Sequence, residues 1–308
     1  MMRLRRIALT ASLMAILSVP ALAQVKLERK IVEGSTRTTE QVTRVEQKLT
    51  IAGMETETES DSRVTVKTTA GKRDDSGNIR VQEKIVNMMI TTKVQGTEYV
   101  FDSANPDKAS GSALEMLRPV HKALSGRTTT TVWDKENKIA QIEFDQDALN
   151  GLDDNVRNLV KDEVNPEKLK KAANEELERI PAEAVKKGDA WERTSKRSLG
   201  AGQMLTATTR YTYEGEIEKD GKTLDKITTK VLSVDLTLED SPLPLTIKST
   251  DLKPAESKGE LLFDRKLGMT VSGSSSVRIV GDITFVINNM ELPSKLDLKM
   301  ETTSQPKE

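Results

Sequence analysis

The sequence predicts a mainly β protein with a helical insertion, an α+β chain built around a long curved antiparallel sheet. Three observations lead to this fold class. Apolar and polar residues alternate over most of the chain, short polar turns separate the alternating stretches, and two stretches with helical spacing interrupt them. The helical stretches are expected to pack on the concave face of the sheet.

The clearest predicted strand is VLSVDLTLED at 231–240, where Leu232, Val234, Leu236 and Leu238 share one face and polar side chains share the other. Similar alternation occurs at 49–51, 64–66, 207–213, 277–287 and 296–300. Polar turns are predicted at 72–78, 134–138 and 219–222, and the last contains an Asp-Gly pair in which glycine accepts a positive φ. Strands joined by such short turns pair antiparallel, so long antiparallel ribbons are expected.

Two segments read as helical. The first, 112–125, places Leu114, Leu117 and His121 at helical spacing and contains Pro119, which either kinks the helix or opens a second one. The second, 145–180, is rich in Lys and Glu, and within it Pro166 can begin a helix as its first residue.

These elements give a domain plan in five parts. It consists of a signal peptide at 1–23, a first antiparallel β half at 24–144, a helical connector at 145–180, a second β half at 181–301, and a flexible tail at 302–308. The segments TVWDKENKIAQI and LLFDRKLGMTVS align as strand, Asp, basic residue, turn and strand. The two halves are therefore either products of a diverged internal duplication or similar by chance.

The first residues predict export. Arg3, Arg5 and Arg6 precede an apolar run at 7–19 and a small-residue triplet ending at Ala23, which is the pattern of a secretory signal peptide. The run is shorter than the roughly 20 residues needed to cross a bilayer. We expect a periplasmic or extracellular protein that keeps no transmembrane segment after cleavage.

Charge and cysteine content exclude several classes of partner and site. Removal of three Arg from 47 basic residues leaves 44 against 48 acidic ones, a net charge of −4, which argues against a nucleic-acid partner. The chain has no cysteine, so it forms no disulfide and no thiolate zinc site.

No catalytic, cofactor-binding or metal-binding residue is predicted, and no cofactor. In YVFDSANPDK at 99–108, Asp102, Asn105 and Asp107 have the wrong spacing for a calcium loop, so an Asp or Ser side chain is expected to cap a turn. His121 is the only histidine, which excludes a two-histidine metal site, and it is expected to pack as a hydrogen-bonded residue of its helix. Trp133 is expected to fill an edge or core position rather than to stack on a ligand.

The same expectation applies to Trp191, which follows Lys-Lys-Gly-Asp-Ala. Together, YVFDSANP at 99–106, TVWDKENKI at 131–139 and KKGDAW at 186–191 resemble a family of uncharacterised exported bacterial proteins known as a domain of unknown function. That resemblance implies no catalytic residue. More loosely, long antiparallel ribbons with two helical segments resemble the periplasmic lipoprotein carriers of the LolA type, which implies a curved sheet around an apolar cavity under helices.

The function expected from these observations is that of an exported, non-catalytic envelope protein that serves as a binding or structural module for an unknown partner, either an apolar ligand or an envelope protein. One alternative is a periplasmic carrier that holds a lipid or acyl chain in a half-barrel cavity. Another is a carboxylate-dependent envelope hydrolase, which is disfavoured because the acids of the best strands, Asp235, Glu239 and Asp282, are expected to point outward.

Overall fold

The computed structural model describes residues 24–144, 152–153, 157, 165–200, 202–239 and 245–307. Within these residues the chain forms twelve strands, one 3-10 helix (Ala113–Leu117) and two α-helices, α1 (Arg118–Leu124) and α2 (Pro166–Leu177). The strands are β1 (Thr36–Ile51), β2 (Met54–Arg73), β3 (Ile79–Val94), β4 (Thr97–Asp102), β5 (Thr128–Trp133), β6 (Ile139–Phe144), β7 (Ala190–Gly200), β8 (Gln203–Lys219), β9 (Lys222–Leu238), β10 (Thr246–Asp264), β11 (Met269–Ile287) and β12 (Met290–Pro306). The predicted signal peptide lies outside the described residues.

The twelve described strands form one antiparallel sheet, which confirms the mainly β antiparallel prediction. Its order is β6-β5-β3-β2-β1-β12-β11-β10-β9-β8-β7, and β4 pairs with the part of β3 that β5 leaves free. The first and second halves of the chain meet where β1 pairs with β12, from Thr39 opposite Pro306 to Ile51 opposite Ser294. The sheet is therefore continuous across both halves.

The turns divide between two ends of the sheet. The lower end carries the turns at 74–78, 134–138, 220–221 and 265–268, and the upper end carries those at 52–53, 95–96 and 288–289. Asp220 and Gly221 both have positive φ, as a two-residue hairpin turn requires, so the predicted turn is confirmed. The turns predicted at 72–78 and 134–138 are also present.

The C-terminal residues correct one expectation. Residues 302–308 were expected to form a flexible tail, but β12 continues to Pro306 because Thr302 and the residues after it pair with Thr39–Thr43 of β1. The backbone N–H of Lys307 then donates to the carbonyl of Thr38 at 3.0 Å. Alternating Thr and polar residues at an exposed strand end resemble a tail in sequence, and only the long-range partner makes them a strand.

The described helices pack at one side of the sheet and at its two edges. The 3-10 helix and α1 place Leu114, Leu117 and Leu124 against Tyr99 and Phe101 of β4. Pro119 lies in the first turn of α1. Of the two predicted alternatives, a kink or the start of a second helix, the second is therefore correct.

The α2 helix begins at Pro166, as predicted, with Asn165 as its N-cap. Asn174 of α2 both donates to and accepts from the backbone of Ile139 in β6, at 3.0 and 3.1 Å. The carbonyl of Arg179, just after α2, accepts from Trp191 Nε1 of β7 at 2.7 Å. The end strands of the sheet, β6 and β7, are thus both held by one short stretch of chain. The expectation that helices cover the concave face is not confirmed, and most of the predicted connector between 145 and 164 lies outside the described residues.

The segment 25–31 crosses the lower end of the sheet. Val25 forms a bridge with Val185, which precedes β7, and Lys30 donates its N–H to the carbonyl of Gly268 in the β10–β11 turn. Leu27 packs in a cluster with residues of β8, β9 and β10, whereas Ile31 packs against residues of β2 and β3. Because one extended segment contacts strands from both halves, the sheet must curve around it.

Candidate functional site

An apolar cavity of about 60 Å³ lies near the upper end of the sheet. Its walls come from six strands that are neighbours in the sheet order, β1, β12, β11, β10, β9 and β8. The lining residues are Gln47, Leu49, Gln203, Leu205, Leu236, Leu252, Ile279, Ile283, Phe285, Leu296 and Leu298. Every lining residue except the two glutamines is apolar, and none belongs to a described helix.

The cavity shows how strongly the sheet bends. Five strand spacings separate β1 from β8, which is about 24 Å in a flat sheet. Leu49 of β1 and Leu205 of β8 nevertheless line the same small space. The sheet therefore curls, and the cavity occupies its inner face.

Alternation along the strands directs the apolar side chains inward. Val234 and Leu236 of β9 are buried in one cluster with Ile279 and Ile283 of β11, while Asp235 between them is exposed. Glu239 and Asp282 are exposed as well. The expectation that the acids of these strands point outward is confirmed.

The pairing between β9 and β10 is interrupted beside this cavity. The two strands form a ladder only between Asp225–Thr229 and Gly259–Phe263, although both are fully described and far longer. Beyond Thr229 and Gly259, two side-chain hydrogen bonds among the described residues join them, and Leu252 of β10 packs in the same apolar cluster as Val234 and Leu236 of β9. Val231 N donates to Ser257 Oγ at 2.8 Å, and Thr250 Oγ1 donates to Asp235 Oδ1 at 2.6 Å. We call this unpaired stretch, Val231–Leu238 of β9 facing Thr246–Ser257 of β10, the β9–β10 seam.

The lone histidine lies far from the seam, on α1. Its Nδ1 is 2.9 Å from the hydroxyl of Tyr99, and its ring is 5.5 Å from that of Phe101 between centroids. Burial, and next the nearby charge of Arg118, lower the pKa of His121 to about 4. A neutral imidazole held by a tyrosine in an apolar cluster is the packed histidine that the sequence predicted.

The polar residues after β4 form a turn. Asp102 Oδ1 accepts the backbone N–H of Ala104 at 2.9 Å, and Ser103 Oγ accepts the N–H of Met88 at 2.8 Å. The predicted capping role is confirmed. Among the described residues, no group of three or more His, Cys, Asp or Glu is placed to hold a metal ion.

Both tryptophans are half-buried and pack against clusters of core residues. Trp133 contacts the cluster around Ile79 and donates Nε1–H to Thr131 Oγ1 at 2.9 Å. Trp191 stacks on Tyr211 with ring centroids 5.8 Å apart. The interpretation of the tryptophans as packing residues is confirmed.

A buried ionic group near the lower end was not predicted. Asp225 is 1% exposed, accepts from the hydroxyl of Tyr213 at 2.6 Å, and accepts from Arg265 Nε at 2.7 Å. Arg265 also contacts Glu216. Burial, together with the bond to Asp225, raises the pKa of the Tyr213 hydroxyl. This group joins β8 and β9 to the β10–β11 turn, and only the position of Asp225 on the inward face of an alternating strand could have indicated it.

The fold and the cavity define a class of protein, an antiparallel sheet curled around an apolar space that, among the described residues, is lined by strands. The chain belongs to a family of unknown function, DUF6263, whose model matches residues 76–270. This confirms the predicted membership of an uncharacterised family. Resemblance to LolA-type carriers is not confirmed. In the part of the chain that the structure describes, no helix is long and apolar enough to span a membrane.

Comparison with other proteins adds little. No protein with a curated description matches the sequence. A lipovitellin structure concerned with lipid–protein interactions is 9% identical, with a TM-score of 0.42, and the match covers 91% of this chain but 26% of that one. DynF from the dynemicin biosynthesis pathway of Micromonospora chersina is 7% identical over 92% of this chain and 85% of that one, with a TM-score of 0.20. An outer membrane channel from Pseudomonas putida F1 is also 7% identical, over 91% of this chain and 98% of that one, with a TM-score of 0.20. These scores are too low to indicate a shared fold.

Proposed function

We propose that this protein is an exported, non-catalytic binding protein of the cell envelope that holds an apolar chain in the strand-lined cavity. The observation that carries the proposal is the lining itself, nine apolar side chains from six strands with no charged residue among them. Apolar pockets with a few polar groups are the usual form of small-molecule sites. The signal peptide predicted at 1–23 supports a location outside the cytoplasm.

The size of the cavity restricts the ligand. At about 60 Å³ it is less than half the size of an engineered cavity of about 150 Å³ that binds benzene. A rigid ring system does not fit such a space, whereas a flexible unbranched chain can place its terminal carbons there and leave the rest outside. The single acyl chain is therefore the ligand class that the cavity favours.

The two polar lining residues suit the same ligand. Gln203 is the first residue of β8 and so lies at the upper end, and Gln47 lies on β1, opposite Leu298 of β12. An amide side chain donates and accepts hydrogen bonds without adding charge. The glutamines therefore leave the cavity uncharged, and the leucines and isoleucines contact the carbons of the chain.

The proposal is tested by titrating the mature protein with a dansylated fatty acid and following dansyl fluorescence. Leu252→Trp fills the cavity, so we expect its affinity for the probe to fall by at least about tenfold, or about 1.4 kcal/mol. Asp251→Trp is the matched control, because it introduces the same side chain at the neighbouring position of β10, where the side chain is exposed.

Native mass spectrometry of protein purified from its own envelope is the second measurement. A co-purifying acyl-chain species, lost from the Leu252→Trp variant but kept by Asp251→Trp, is the expected result. Two results would show that the cavity is only a packing defect of the core. One is equal binding of the probe by the two variants, and the other is the absence of saturable binding by the unmodified protein and by both variants.

A further inference from the structure

We infer that the β9–β10 seam is a lateral entrance to the cavity, through which the acyl chain of an anionic single-chain lipid enters while its headgroup stays outside on lysines beside the seam. This inference rests on the proposed function and adds the route and the headgroup. Its first basis is the pairing pattern. β9 keeps β8 as a partner from Lys222 to Leu238, and β10 keeps β11 from Thr246 to Asp264. Only the side that β9 and β10 share is unpaired.

The ladder stops where both strands become irregular. In β9, Ser233 and Val231 pair with the consecutive residues Thr208 and Thr209 of β8. Leu232, which lies between them, is therefore an extra residue. In β10, the register with β11 shifts between Pro254 and Glu256, which leaves Ala255 extra. Such bulges bend a strand away from its neighbour, and proline lacks the N–H that a ladder needs. Both bulges follow within a few residues of the last ladder pair.

Like charges at the start of the seam also oppose pairing. Continuing the register of Gly259 opposite Thr229 by one step places Lys258 opposite Lys230, and both are exposed. The same register places Ser257 opposite Val231, which the hydrogen bond between them supports. Like charges directly opposite each other on neighbouring strands are destabilising.

The seam leads directly to the cavity. Leu236, on the β9 side, and Leu252, on the β10 side, both line it, with Ile279 and Ile283 of β11 behind them. To part the strands here, the protein breaks the Ser257 and Thr250 hydrogen bonds and separates Leu252 from Val234 and Leu236, but it breaks no ladder pair. The end of a chain can then enter sideways between the two strands, with the rest of the chain left outside.

The outer surface beside the seam suits an anionic headgroup. Lys230, Lys253 and Lys258 are exposed, and among the described residues none of them forms an ion pair. By contrast, Lys226 and Lys248, on the same two strands, are paired with Glu260 and Glu291. A carboxylate or phosphate group placed over the three unpaired lysines would relieve the repulsion between Lys230 and Lys258. The ligand that matches both the cavity and this surface is therefore a fatty acid or a lysophospholipid.

The entrance is tested by locking the seam. The chain has no cysteine, so Asp235→Cys/Thr250→Cys carries two unique thiols at a contact across the seam, and a short bis-methanethiosulfonate joins them reversibly. The control is Thr206→Cys/Asp235→Cys, which shares one cysteine but links β9 to β8, where the strands are already paired. Association of the dansylated fatty acid is followed by stopped-flow fluorescence before and after reduction.

We expect the linker across the seam to slow association by at least about tenfold, with full recovery on reduction, and the control linker to leave the rate unchanged. Equal rates in the locked and reduced seam variants would overturn the lateral entrance while leaving the proposed function intact. Failure of the unmodified protein to bind the probe would instead remove the proposed function itself.

The headgroup site is tested with the triple variant Lys230→Gln/Lys253→Gln/Lys258→Gln. Its control is Lys72→Gln/Lys219→Gln/Lys222→Gln, which removes the same number of positive charges at the lower end of the sheet. We expect the first variant to bind the carboxylate probe about tenfold more weakly and the second to bind it normally. Competition by oleate and by a lysophospholipid then identifies the preferred headgroup. Equal competition by the uncharged alcohol of the same chain would contradict the role of the lysines.

Discussion

His121 shows how one side chain adapts to an apolar surrounding. Its ring lies between Tyr99 and Phe101, and its Nδ1 contacts the Tyr99 hydroxyl. Burial removes water from the ring, and the charge of Arg118 further opposes protonation, so the pKa falls from 6.5 to about 4. The imidazole is therefore neutral in the folded protein at ordinary pH.

The lowered pKa predicts a pH dependence of stability. Between pH 4 and 6.5 the unfolded chain binds a proton at His121 that the folded chain does not, so the free energy of unfolding rises with pH across this window. The contribution is complete above pH 6.5 and is lost as the pH falls toward 4. We expect His121→Gln to have a smaller difference in Tm between about pH 7.5 and about pH 5 than the unmodified protein.

Lys122→Gln is the control for that measurement, since it changes the next residue of the same helix and removes only an exposed ion pair with Asp107. Its difference in Tm between the two pH values should match that of the unmodified protein. An unaltered pH dependence in His121→Gln would mean that other groups carry it.

The burial of Asp225 is an example of a residue environment that the sequence analysis did not predict. In the sequence its strand reads as Leu-Asp-Lys-Ile, and only the alternation of the strand indicates that the aspartate is covered. A buried carboxylate is tolerated only with partners, and those come from Tyr213 and from Arg265. Since Arg265 follows another strand, its approach depends on the fold as a whole. Asp102 was predictable because its partner, the N–H of Ala104, is two residues away, and His121 because its helical spacing placed it beside the apolar face of its helix.

At the scale of elements, α2 takes the place of a neighbouring strand. Asn174 forms two hydrogen bonds with the backbone of Ile139, which lies on β6 at the end of the sheet order. An unpaired edge strand is a site of aggregation, and a side chain that satisfies its backbone protects it. A short polar helix with no buried residue can therefore still matter for the sheet.

We expect Asn174→Ala to lower the free energy of unfolding by about 1–3 kcal/mol, because it leaves the N–H and C=O of Ile139 without these partners. Urea unfolding measures the change. Lys171→Ala, an exposed position of the same helix, is the matched control and should shift stability by less than about 0.5 kcal/mol. If the two variants were equally stable, water would be replacing the amide at this edge.

Strands and turns were largely predictable, whereas their irregularities were not. Alternation identified β8, β9, β11 and β12, and the Asp-Gly pair identified the turn between β8 and β9. The same alternation runs through 231–240 without a break, yet Leu232 is an extra residue in a bulge. A bulge depends on what the neighbouring strand offers, so the sequence of one strand does not show it. The β9–β10 seam was missed for that reason.

At the scale of the whole molecule, the sequence predicts the strand pairs that are joined by hairpins, but it does not predict the other strand pairs. Consecutive strands with short turns pair antiparallel, which gives most of the ladders. The pairing of β1 with β12 joins residues at opposite ends of the described chain. Polar alternation on both strands is compatible with many partners, so neither this contact nor the resulting order of Thr302–Pro306 was predictable.

The curl of the sheet has an identifiable support at its lower end. The segment 25–31 contacts strands from both halves, and Leu27 is its most buried residue at 2% exposure. Leu27 packs in one cluster with Tyr211 of β8, Ile227 of β9 and Phe263 of β10. A segment held in this way acts as a strut between the two sides of the curled sheet.

Leu27→Ala should therefore affect both stability and shape. We expect a loss of about 2–5 kcal/mol in the free energy of unfolding, the usual range for truncating a buried leucine, measured by urea unfolding. Hydrogen exchange should accelerate at the lower ends of β8, β9 and β10, because these strands lose the side chain that covers them. The cavity lies near the upper end, so probe binding should persist under conditions where the variant is folded.

Val32→Ala is the control, since Val32 directly follows the segment, is 45% exposed, and loses little buried surface on truncation. We expect its exchange pattern to match that of the unmodified protein. If Leu27→Ala instead accelerated exchange uniformly along every strand, the curled sheet would unfold as one unit, and residue 27 would stabilise the molecule without acting as a local strut. Exchange confined to the lower end, with probe binding retained, would show that the two ends of the sheet are separately stabilised. An entrance could then open near the upper end without loosening the lower one.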